Sequence, residues 1–212
     1  MFGPKFKVGW DGFYINLRPF KREEMGYFAD MFSSPRVHEY TLQSRGFTQQ
    51  MEEKWFDKAQ ENEDVYWAIE PEGHGKVVGS TGIHDINSSN SCHTGIIICD
   101  PSWWGKGVAS RAHVARTWYA LTYLDRATIQ SEVMVENLGS RKALERVGYH
   151  ITGRNPRVRR SGGMYVDSFS LCLISPLWLT RLYPAGLPEE YAESVQKVRN
   201  TLDRAKEVVE LL

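Results

Sequence analysis

The sequence predicts an α/β fold in which one mixed sheet is covered by helices. Three observations lead to this prediction. Strand-like runs and helical patterns alternate along the chain, and the later part follows the order β-α-β-α-β. The segment from Cys99 to Ala127 is long enough for a right-handed crossover between two parallel strands. With 212 residues, of which 42% are hydrophobic, the chain can form one well-packed domain plus an extension.

The first part of the chain contains four strand patterns and two helical faces. "GFYINLRPF" alternates and is predicted to be an edge strand that Pro19 ends. The two helical faces consist of Met25, Phe28, Met31 and Phe32, and of Met51, Trp55, Phe56 and Ala59. "VYWAIE" and "KVVGSTGIH", separated by the turn signal "PEGHG", predict the next two strands, and Gly95 to Cys99 predicts the fourth.

The second part of the chain alternates helices and strands. Apolar and small residues recur at helical spacing, namely Val108, Ala112, Ala115, Tyr119 and Thr122. "ATIQSEVMV" is the next predicted strand, and "LGSRKALERV" is a helix that Gly148 stops. "MYVDSFSLCLIS" is the last predicted strand, and the "RVRRSGG" before it is predicted to be a loop or a hairpin turn.

The composition excludes several classes of protein. With 26 basic and 26 acidic residues, no global field attracts the chain to nucleic acid or to an anionic membrane. "MFGPKFKVGWDGFY" lacks the apolar region of a signal peptide, and nothing approaches the ~18 apolar residues of a membrane span. Cys92, Cys99 and Cys172 form neither a CxxC metal pair nor a disulfide framework. We therefore expect a cytoplasmic protein without a metal.

The stretch "GIIICDPSWWGKGVASRA" places a glycine-bearing turn between a strand and a helix. Gly105 and Gly107 lack a Cβ, so the backbone there can approach a phosphate at the helix N-terminus. A Walker loop is excluded because GxxxxGK[ST] is absent. A dinucleotide fingerprint fits poorly, since its third glycine is Ser110 and its acidic residue would be Asp125, ahead of the next strand. A diphosphate turn for coenzyme A and a turn without a ligand remain.

A second motif, "ENLGSRKALERVGY", follows the next predicted strand. Asn137 offers an amide, Ser140 a hydroxyl and Arg141 a positive charge, all at the start of a helix. A sheet that splays at this point would receive the thioester arm of an acyl-CoA there. The motif therefore favours the coenzyme A interpretation of the glycine turn.

Together, "DPSWWGKGVAS" and "ENLGSRKALERVGY" resemble the GNAT superfamily of N-acetyltransferases, closest to the branch of the ribosomal-protein N-terminal (alanine) acetyltransferases. In the family pattern [Q/R]xxGx[G/A], Trp104 replaces the first residue, while Gly107 and Ala109 match. Tyr149 replaces the final Phe of the second motif, and "MYVDSFSLCLISPLW" resembles the ending of that branch. The resemblance implies a mostly antiparallel sheet of about seven strands, splayed between the fourth and the fifth, with about four flanking helices and a C-terminal helix.

The resemblance also implies how acetyl-CoA binds. The backbone of Ile97, Ile98 and Cys99 would contact the pantetheine, with one N–H stabilising the oxyanion. The turn that follows Trp104 would hold the diphosphate through the N–H groups of Gly105, Lys106, Gly107, Val108 and Ala109. Asn137 would hold the pantetheine or an ordered water, Ser140 would hydrogen-bond the departing sulfur, and Arg141 would add positive charge.

The general base is where the sequence departs from the family. His93 falls where many relatives carry Glu, and an imidazole titrates near neutrality. A solvated residue at a strand start is the alternative interpretation of His93. Glu132 is the second candidate base, with His84 and Asp85 near the expected cleft.

The acid of some other branches is a tyrosine that would fall at Leu144, so Ser140 is the expected substitute. The predicted catalytic residues are therefore Ser140, His93, Glu132 and Asn137.

Residues 1–178 are predicted to form the acyltransferase domain, and 179–212 a C-terminal extension with an amphipathic helix. The apolar stripe of that helix recurs every three or four residues and consists of Tyr191, Val195, Val198, Leu202, Ala205, Val209 and Leu212. An isolated helix of this length is marginal in water, so a partner surface is expected. That surface belongs either to the chain itself or to a second copy in a homodimer.

The predicted function is direct transfer of an acetyl group from acetyl-CoA to a primary amine, either a protein N-terminus or a small amine. A catalytically silent acyl-CoA-binding or interaction module is one alternative. A dinucleotide-binding oxidoreductase is the other.

Overall fold

The fold was obtained as a computed structural model, and it contains one mixed sheet with helices on both faces. The strands are β1 (Phe6–Trp10), β2 (Phe13–Arg18), β3 (Val65–Pro71), β4 (Gly79–His84), β5 (Ser91–Ile98), β6 (Thr128–Met134), β7 (His150–Ser161), β8 (Met164–Ile174) and β9 (Val209–Leu211). Their order in the sheet is β7-β8-β6-β5-β4-β3-β2-β1-β9. The structure describes residues 1–39, 46–161 and 164–212, with the backbone alone at 159–161.

The predicted fold class is confirmed, but the predicted number of about seven strands is too low, since the sheet has nine strands in the described residues. Among the strands that the structure describes, β5 and β6 are the one pair that runs in parallel, and every other neighbouring pair is antiparallel. The mostly antiparallel character of the sheet therefore agrees with the prediction.

Six of the nine strands were predicted individually, so three are additional, and an N-terminal hairpin supplies one of them. Asp11 and Gly12 join β1 to β2 with φ of 54° and 74°, and Trp10 pairs with Phe13. This is the geometry of a two-residue type I′ turn, for which Asp-Gly is a favoured sequence. The predicted edge strand, β2, lies inside the sheet because β1 and β9 continue the sheet beyond it. The edge assignment is therefore wrong.

The other additional strands lie in the C-terminal part. β7 extends to Ser161, so the segment predicted as a loop or turn is strand up to that residue, and residues 162 and 163 lie outside the described residues. Arg157 has a positive φ of 53° at a register shift, where its N–H donates to Asp167 Oδ1 at 2.9 Å. Such a bulge interrupts the alternation by which strands are recognised. β9 spans only three residues.

Seven α-helices and four short 3₁₀ helices occur in the described residues. The α-helices are α1 (Met25–Phe32), α2 (Pro35–His38), α3 (Gln49–Glu61), α4 (Val108–Thr122), α5 (Leu138–Val147), α6 (Leu179–Leu182) and α7 (Ala192–Val208). The 3₁₀ helices are Arg22–Glu24, Pro101–Trp103, Pro176–Trp178 and Glu189–Tyr191. Within the described ranges, no helix combines the length and the apolar character needed to cross a bilayer.

The helices bury two hydrophobic clusters on opposite faces of the sheet. The larger cluster includes residues of α4, α5 and α7, and the smaller one includes residues of α1 and α3. Side chains of β5 alternate between them: Ile96 and Ile98 pack on the larger cluster, Ile97 and Cys99 on the smaller one. β5 is therefore in contact with both faces of the molecule.

β5 and β6 pair only at their N-terminal ends. Their parallel register covers Ser91–His93 against Thr128–Gln130, while β6 continues to pair with β8 as far as Met134. Beyond His93, the edge of β5 that faces β6 has no strand partner in the described sheet. β5 and β6 correspond to the fourth and fifth predicted strands, so the predicted splay is present between them.

The C-terminal helix α7 packs on its own chain. A Cβ at Gly148, which ends α5 with φ of 109°, would lie 2.4 Å from Val198 Cγ2 and 2.9 Å from Ser194 O. Ser194 Oγ also donates to Gly148 O at 2.5 Å. Of the two predicted partner surfaces, the intramolecular one is therefore present. A homodimer would use other faces of α7, and both the homodimer and the boundary at residue 178 remain predictions.

Candidate functional site

The glycine turn between β5 and α4 has the geometry of an anion site. Gly105 and Gly107 have φ of 74° and 79°, left-handed values that favour glycine. Gly107 is the N-cap of α4, and no side chain caps this helix. The N–H groups of the first turn therefore have no side-chain acceptor, and the helix dipole adds partial positive charge. These are the features that bind phosphates, so the turn fits the diphosphate of coenzyme A.

Arg111 fixes this turn against the N-terminal hairpin. Its guanidinium donates to Trp10 O at 2.7 Å, to Phe13 O at 2.9 Å and to Gly107 O at 3.2 Å. It also lies 4.1 Å from the centre of the Trp10 ring. Sequence reasoning missed Arg111 because its partners on β1 and β2 are distant in the chain.

The edge of β5 at the splay offers backbone groups. Cys99 donates its N–H to Val78 O at 2.8 Å. Because the direction of hydrogen bonds alternates along a strand, the N–H of Ile98 points the other way, toward the splay. Ile98 O accepts from Trp104 Nε1 at 2.8 Å. Ile98 thus lies where the pantetheine is expected, whereas the Cys99 side chain is buried and its N–H is already bonded.

The two tryptophans of the turn have different surroundings. Trp104 is 37% exposed and lies beside the turn. Trp103 stacks on Phe13 at 6.0 Å between ring centres and also contacts His74. Lys106 Nζ lies 5.0 Å over the Trp103 ring. Trp103 therefore packs against Phe13 and His74, and the Lys106 side chain lies over its ring.

The start of α5 lies across the splay from the glycine turn. Asn137 is the N-cap, and its Oδ1 accepts from the Ser140 N–H at 3.1 Å. Arg141 forms an ion pair with Glu145 at 3.6 Å and lies over the Phe169 ring at 5.7 Å. Leu144 is buried in the core. Leu144 therefore provides no acid, while Asn137 and Ser140 are held in a fixed arrangement.

A groove of about 580 Å³ connects these elements, and we call it the α4 groove. The predicted cofactor residues that line it are Ile97, Ile98, Trp104, Gly105, Gly107, Val108, Ala109, Asn137 and Ser140. The predicted residues that do not line it are Cys99, Lys106 and Arg141. Lys142 and Arg146, which sequence reasoning missed, add positive charge to its wall. Both basic residues lie on α5 and are suited to phosphate groups.

A second cavity of about 360 Å³ adjoins the α4 groove, and we call it the α3 pocket. Val37, Ile96 and Ile97 line both cavities. Apolar and aromatic side chains form most of the wall of the α3 pocket, namely Phe20, Phe32, Phe47, Met51, Trp55 and Tyr66. Its floor includes residues of β4 and β5 on the face that carries α1 and α3. The two cavities therefore meet at β5, beside the splay.

Glu52 of α3 is an acidic residue in the wall of this apolar pocket. Glu52 is only 6% exposed. Burial raises the pKa of Glu52 to about 7, from an ordinary value of 4.5, because a desolvated carboxylate is penalised. Glu52 was absent from the predicted site because a glutamate in the first turn of an amphipathic helix is indistinguishable in sequence from a surface residue.

The predicted bases His93 and Glu132 line neither cavity. His93 pairs with His84 across β4 and β5, with 5.9 Å between ring centres, and His84 lines the α3 pocket. Glu132 accepts a short hydrogen bond from Ser168 Oγ and a longer one from Asn155 Nδ2 at 3.4 Å. His93 is therefore one residue removed from the pocket, and Glu132 is engaged with β7 and β8.

A buried cationic network lies beneath the splay. Arg116 Nη1 donates to Gly95 O and to Thr81 Oγ1, both at 2.7 Å, and Nη2 lies 2.8 Å from His113 Nδ1. Burial, with the Arg116 charge as a second cause, lowers the pKa of His113 well below its ordinary value, so its imidazole is neutral. Arg116 thereby anchors β5 to α4 directly below the splay.

A family model now decides the class of the protein. The model described as an acetyltransferase (GNAT) domain matches residues 15–150, more than half of the 212 residues. The chain belongs to the GNAT acetyltransferase family. This confirms the resemblance seen in the sequence and the predicted enzyme class, and it decides against an oxidoreductase. GNAT enzymes use acetyl-CoA, which confirms the predicted cofactor.

Individual relatives of this GNAT protein are distant. The probable N-acetyltransferase YjcK of Bacillus subtilis is 24% identical over 154 residues, which cover 70% of this chain and 82% of that protein. A spermidine N-acetyltransferase from Vibrio cholerae, solved with CoA and spermine, matches with a TM-score of 0.71 and 21% identity, over 78% of this chain and 98% of that one. A ribosomal-protein-S5-alanine acetyltransferase from Vibrio fischeri matches with a TM-score of 0.69 and 18% identity, over 81% and 98%. At these identities, the two structures show the fold that this GNAT chain shares.

Proposed function

We propose that the protein transfers an acetyl group from acetyl-CoA to one primary amine held in the α3 pocket, without a covalent enzyme intermediate. The observation that carries this proposal is that the α4 groove and the α3 pocket meet at Ile96 and Ile97 of β5. A thioester arm in one cavity and an amine in the other would approach each other at this strand. Holding two reactants in contact supplies much of the acceleration in direct acyl transfer.

The α4 groove is proposed to bind the cofactor through the chain's own donors. The N–H groups of Gly105 to Ala109 would hold the diphosphate, with Lys142 and Arg146 near the remaining phosphate charge. The N–H of Ile98 would face the pantetheine or the thioester oxygen, where it would stabilise negative charge. Bound acetyl-CoA supplies the acetyl group and a thiol leaving group.

The start of α5 is proposed to assist the departure of that thiol. Ser140 lines the groove, and its hydroxyl would donate to the sulfur. Asn137 uses Oδ1 as a helix cap, so its Nδ2 would be the group that contacts the pantetheine or an ordered water. Leu144, at the position of the tyrosine acid of other branches, supports Ser140 as the substitute.

The structural neighbours differ in the acceptor that their names give. One structural neighbour is a spermidine N-acetyltransferase and another acts on a ribosomal protein. We propose a primary amine as the acceptor here, on a small molecule or at a peptide N-terminus. The cytoplasmic location and the homodimer stay predictions, and the three free cysteines are compatible with a reducing compartment.

Thiol release from acetyl-CoA, measured against a panel of small amines and peptide N-termini, tests the proposed function. We expect release with at least one acceptor class and a mass increase of one acetyl group on that acceptor. Binding of acetyl-CoA with no release across the panel would contradict the proposal and support the silent-module alternative. Calorimetry with coenzyme A, run on the same preparation, keeps the two outcomes apart.

A further inference from the structure

Resting on the proposed function, we propose that Glu52 binds the acceptor's ammonium group and removes its proton, and that the acceptor is a singly charged primary amine with an apolar flank. The surroundings of the Glu52 carboxylate support this proposal. No hydrogen bond or ion pair to the Glu52 carboxylate is present within the described parts of the chain, although the residue is only 6% exposed. A buried acid without a partner is costly, and a cationic ligand would remove that cost.

The helix that carries Glu52 fixes its direction. Thr48 caps α3, with its Oγ1 accepting from the Met51 N–H at 3.3 Å. The next residue, Glu53, is half-buried and accepts from Gln49 Nε2 at 2.7 Å. Successive residues of a helix point about 100° apart, so Glu52 faces the pocket while Glu53, which does not line it, points elsewhere. The chain therefore provides a matched control one residue away.

The other residues of the α3 pocket indicate the chemistry of the ligand. Five aromatic residues share the wall with Glu52: Phe20, Phe32, Phe47, Trp55 and Tyr66. Aromatic faces attract an ammonium, and their apolar surface accepts the carbon atoms beside it. Among the described residues of the wall, Glu52 is the one acidic side chain, and no lysine or arginine occurs there. A polyamine carries several charges, which one carboxylate does not balance, so the pocket favours a monoamine.

Three titratable groups surround the Glu52 side chain. They are Tyr66 of β3, His84 of β4 and Cys99 at the end of β5. Burial raises the pKa of both Tyr66 and Cys99, so they keep their protons at neutral pH. His84 Nδ1 is 3.0 Å from Asp85 Oδ2, outside the pocket wall. The raised pKa of Glu52, about 7, suits a base that works near neutrality.

The proposed reaction begins with the ammonium form of the acceptor. The Glu52 carboxylate takes one proton from the ammonium and leaves a neutral amine. The amine nitrogen then forms a bond to the acetyl carbon while the carbon–sulfur bond breaks. The thiolate leaves with the second proton of the nitrogen, and Glu52 later releases its proton to solvent. One ammonium ion and one thioester give one amide, one thiol and one proton.

The test compares Glu52→Gln with the control Glu53→Gln in the full-length protein. Acetylation of 2-phenylethylamine, of spermidine and of a peptide with an N-terminal alanine is measured from pH 5.5 to pH 9. We expect the wild type to prefer 2-phenylethylamine or the peptide over spermidine, and kcat/KM to fall at least 100-fold in Glu52→Gln. The acidic limb of the pH profile, near pH 7, should disappear in that variant, while Glu53→Gln stays within twofold of the wild type.

Additional variants keep the result unambiguous. Glu52→Asp should retain the acidic limb at a lower kcat, because its carboxylate is shorter but still titrates. His93→Ala and Glu132→Gln, measured alongside, test the two bases predicted from the sequence, and loss of the limb in either of them but not in Glu52→Gln would overturn the inference. Wild-type activity that survives unchanged in Glu52→Gln, or a strong preference for spermidine, would overturn this inference while leaving the proposed function intact. Coenzyme A binding without acetylation of any amine by the wild type would instead overturn the proposed function.

Discussion

The α4 groove and the α3 pocket are neighbours on β5, yet they are built in opposite ways. Apart from Val37, the residues that line the groove come from two short, continuous segments, 96–113 and 136–146. The pocket is lined by residues from α1, α2, α3, β3, β4 and β5, which are spread between residues 20 and 97. A diphosphate is bound by backbone N–H groups, which depend on the local backbone conformation. An acceptor is bound by a pocket whose shape matches it, and several segments of the chain form that pocket. The groove can therefore be recognised in sequence, and the pocket cannot.

The largest expected effect tests the backbone character of the groove. Gly107→Val places a β-branched residue at φ of 79°, where its Cβ would lie 2.7 Å from Arg111 Nη1. We expect the dissociation constant for coenzyme A to rise about 100-fold, because the N–H groups of the turn would be displaced. Isothermal calorimetry measures this change.

Gly73→Val is the matched control for Gly107→Val. Gly73 has φ of 74° with open space around it, in the loop between β3 and β4. It shares the backbone strain but lies outside both cavities. If Gly73→Val weakened coenzyme A binding as much as Gly107→Val, general destabilisation rather than loss of the anion site would explain the result.

The next effect tests the side-chain character of the pocket. Trp55→Ala removes a ring that packs at 5.1 Å from Phe20 and 5.3 Å from Tyr66. We expect kcat/KM for the amine to fall about 10- to 30-fold, with coenzyme A affinity within twofold, because only the pocket loses surface. Steady-state kinetics and calorimetry together measure the split. Trp178→Ala, which alters a tryptophan outside both cavities, should change neither constant.

A third prediction concerns stability and pH. The pKa of Glu52 is about 7 in the folded chain against an ordinary value of 4.5, so the folded state holds a proton that the unfolded state releases between these values. The free energy of unfolding should therefore fall as pH rises through this range, and the loss should be complete above pH 7. Glu52→Gln has no carboxyl group to ionise at this position, so its free energy of unfolding should not fall for this reason.

We expect Glu52→Gln to be more stable than the wild type by about 1–2 kcal/mol at pH 8, a value that allows for water in the open pocket. The difference should vanish near pH 4.5. Urea unfolding at the two pH values measures it. A variant less stable than the wild type at pH 8 would mean that the Glu52 carboxylate has a stabilising partner in solution.

The smallest effect concerns the rim of the groove. Lys142→Ala removes an exposed positive charge at its wall. We expect coenzyme A affinity to fall about threefold at low ionic strength and less at high salt, because exposed charges are screened. Lys58→Ala, on α3, should have no such effect. An effect of Lys142→Ala that did not depend on salt would indicate a buried contact with the cofactor.

Two side-chain predictions show where sequence reasoning was limited. Lys106 and Arg141 stand inside the recognised motifs, but Lys106 lies over Trp103 and Arg141 over Phe169. Their backbone positions were predictable, whereas the directions of their long side chains depend on rings from other segments. Arg111 and Glu52 are the converse cases. Both sit where a sequence pattern predicts ordinary helix residues, and only their distant neighbours give them a role.

The sheet shows the same limit. β2 was recognised from its alternation, but its place inside the sheet depends on β1 and on the three residues of β9, which pair with β1 from the far end of the chain. The stripe of α7 was likewise recognised, while its docking on Gly148 required the tertiary structure.

By itself, the sequence determined the fold class, the glycine turn, the start of α5 and the acetyl-CoA chemistry that both motifs imply. These features depend on backbone conformation over a few consecutive residues, which local sequence controls. Only the tertiary structure decided which face of the sheet holds the second cavity, that this cavity meets the groove at β5, and that its acid is Glu52. Those features depend on contacts between segments far apart in the chain, and such contacts leave no regular spacing in the sequence.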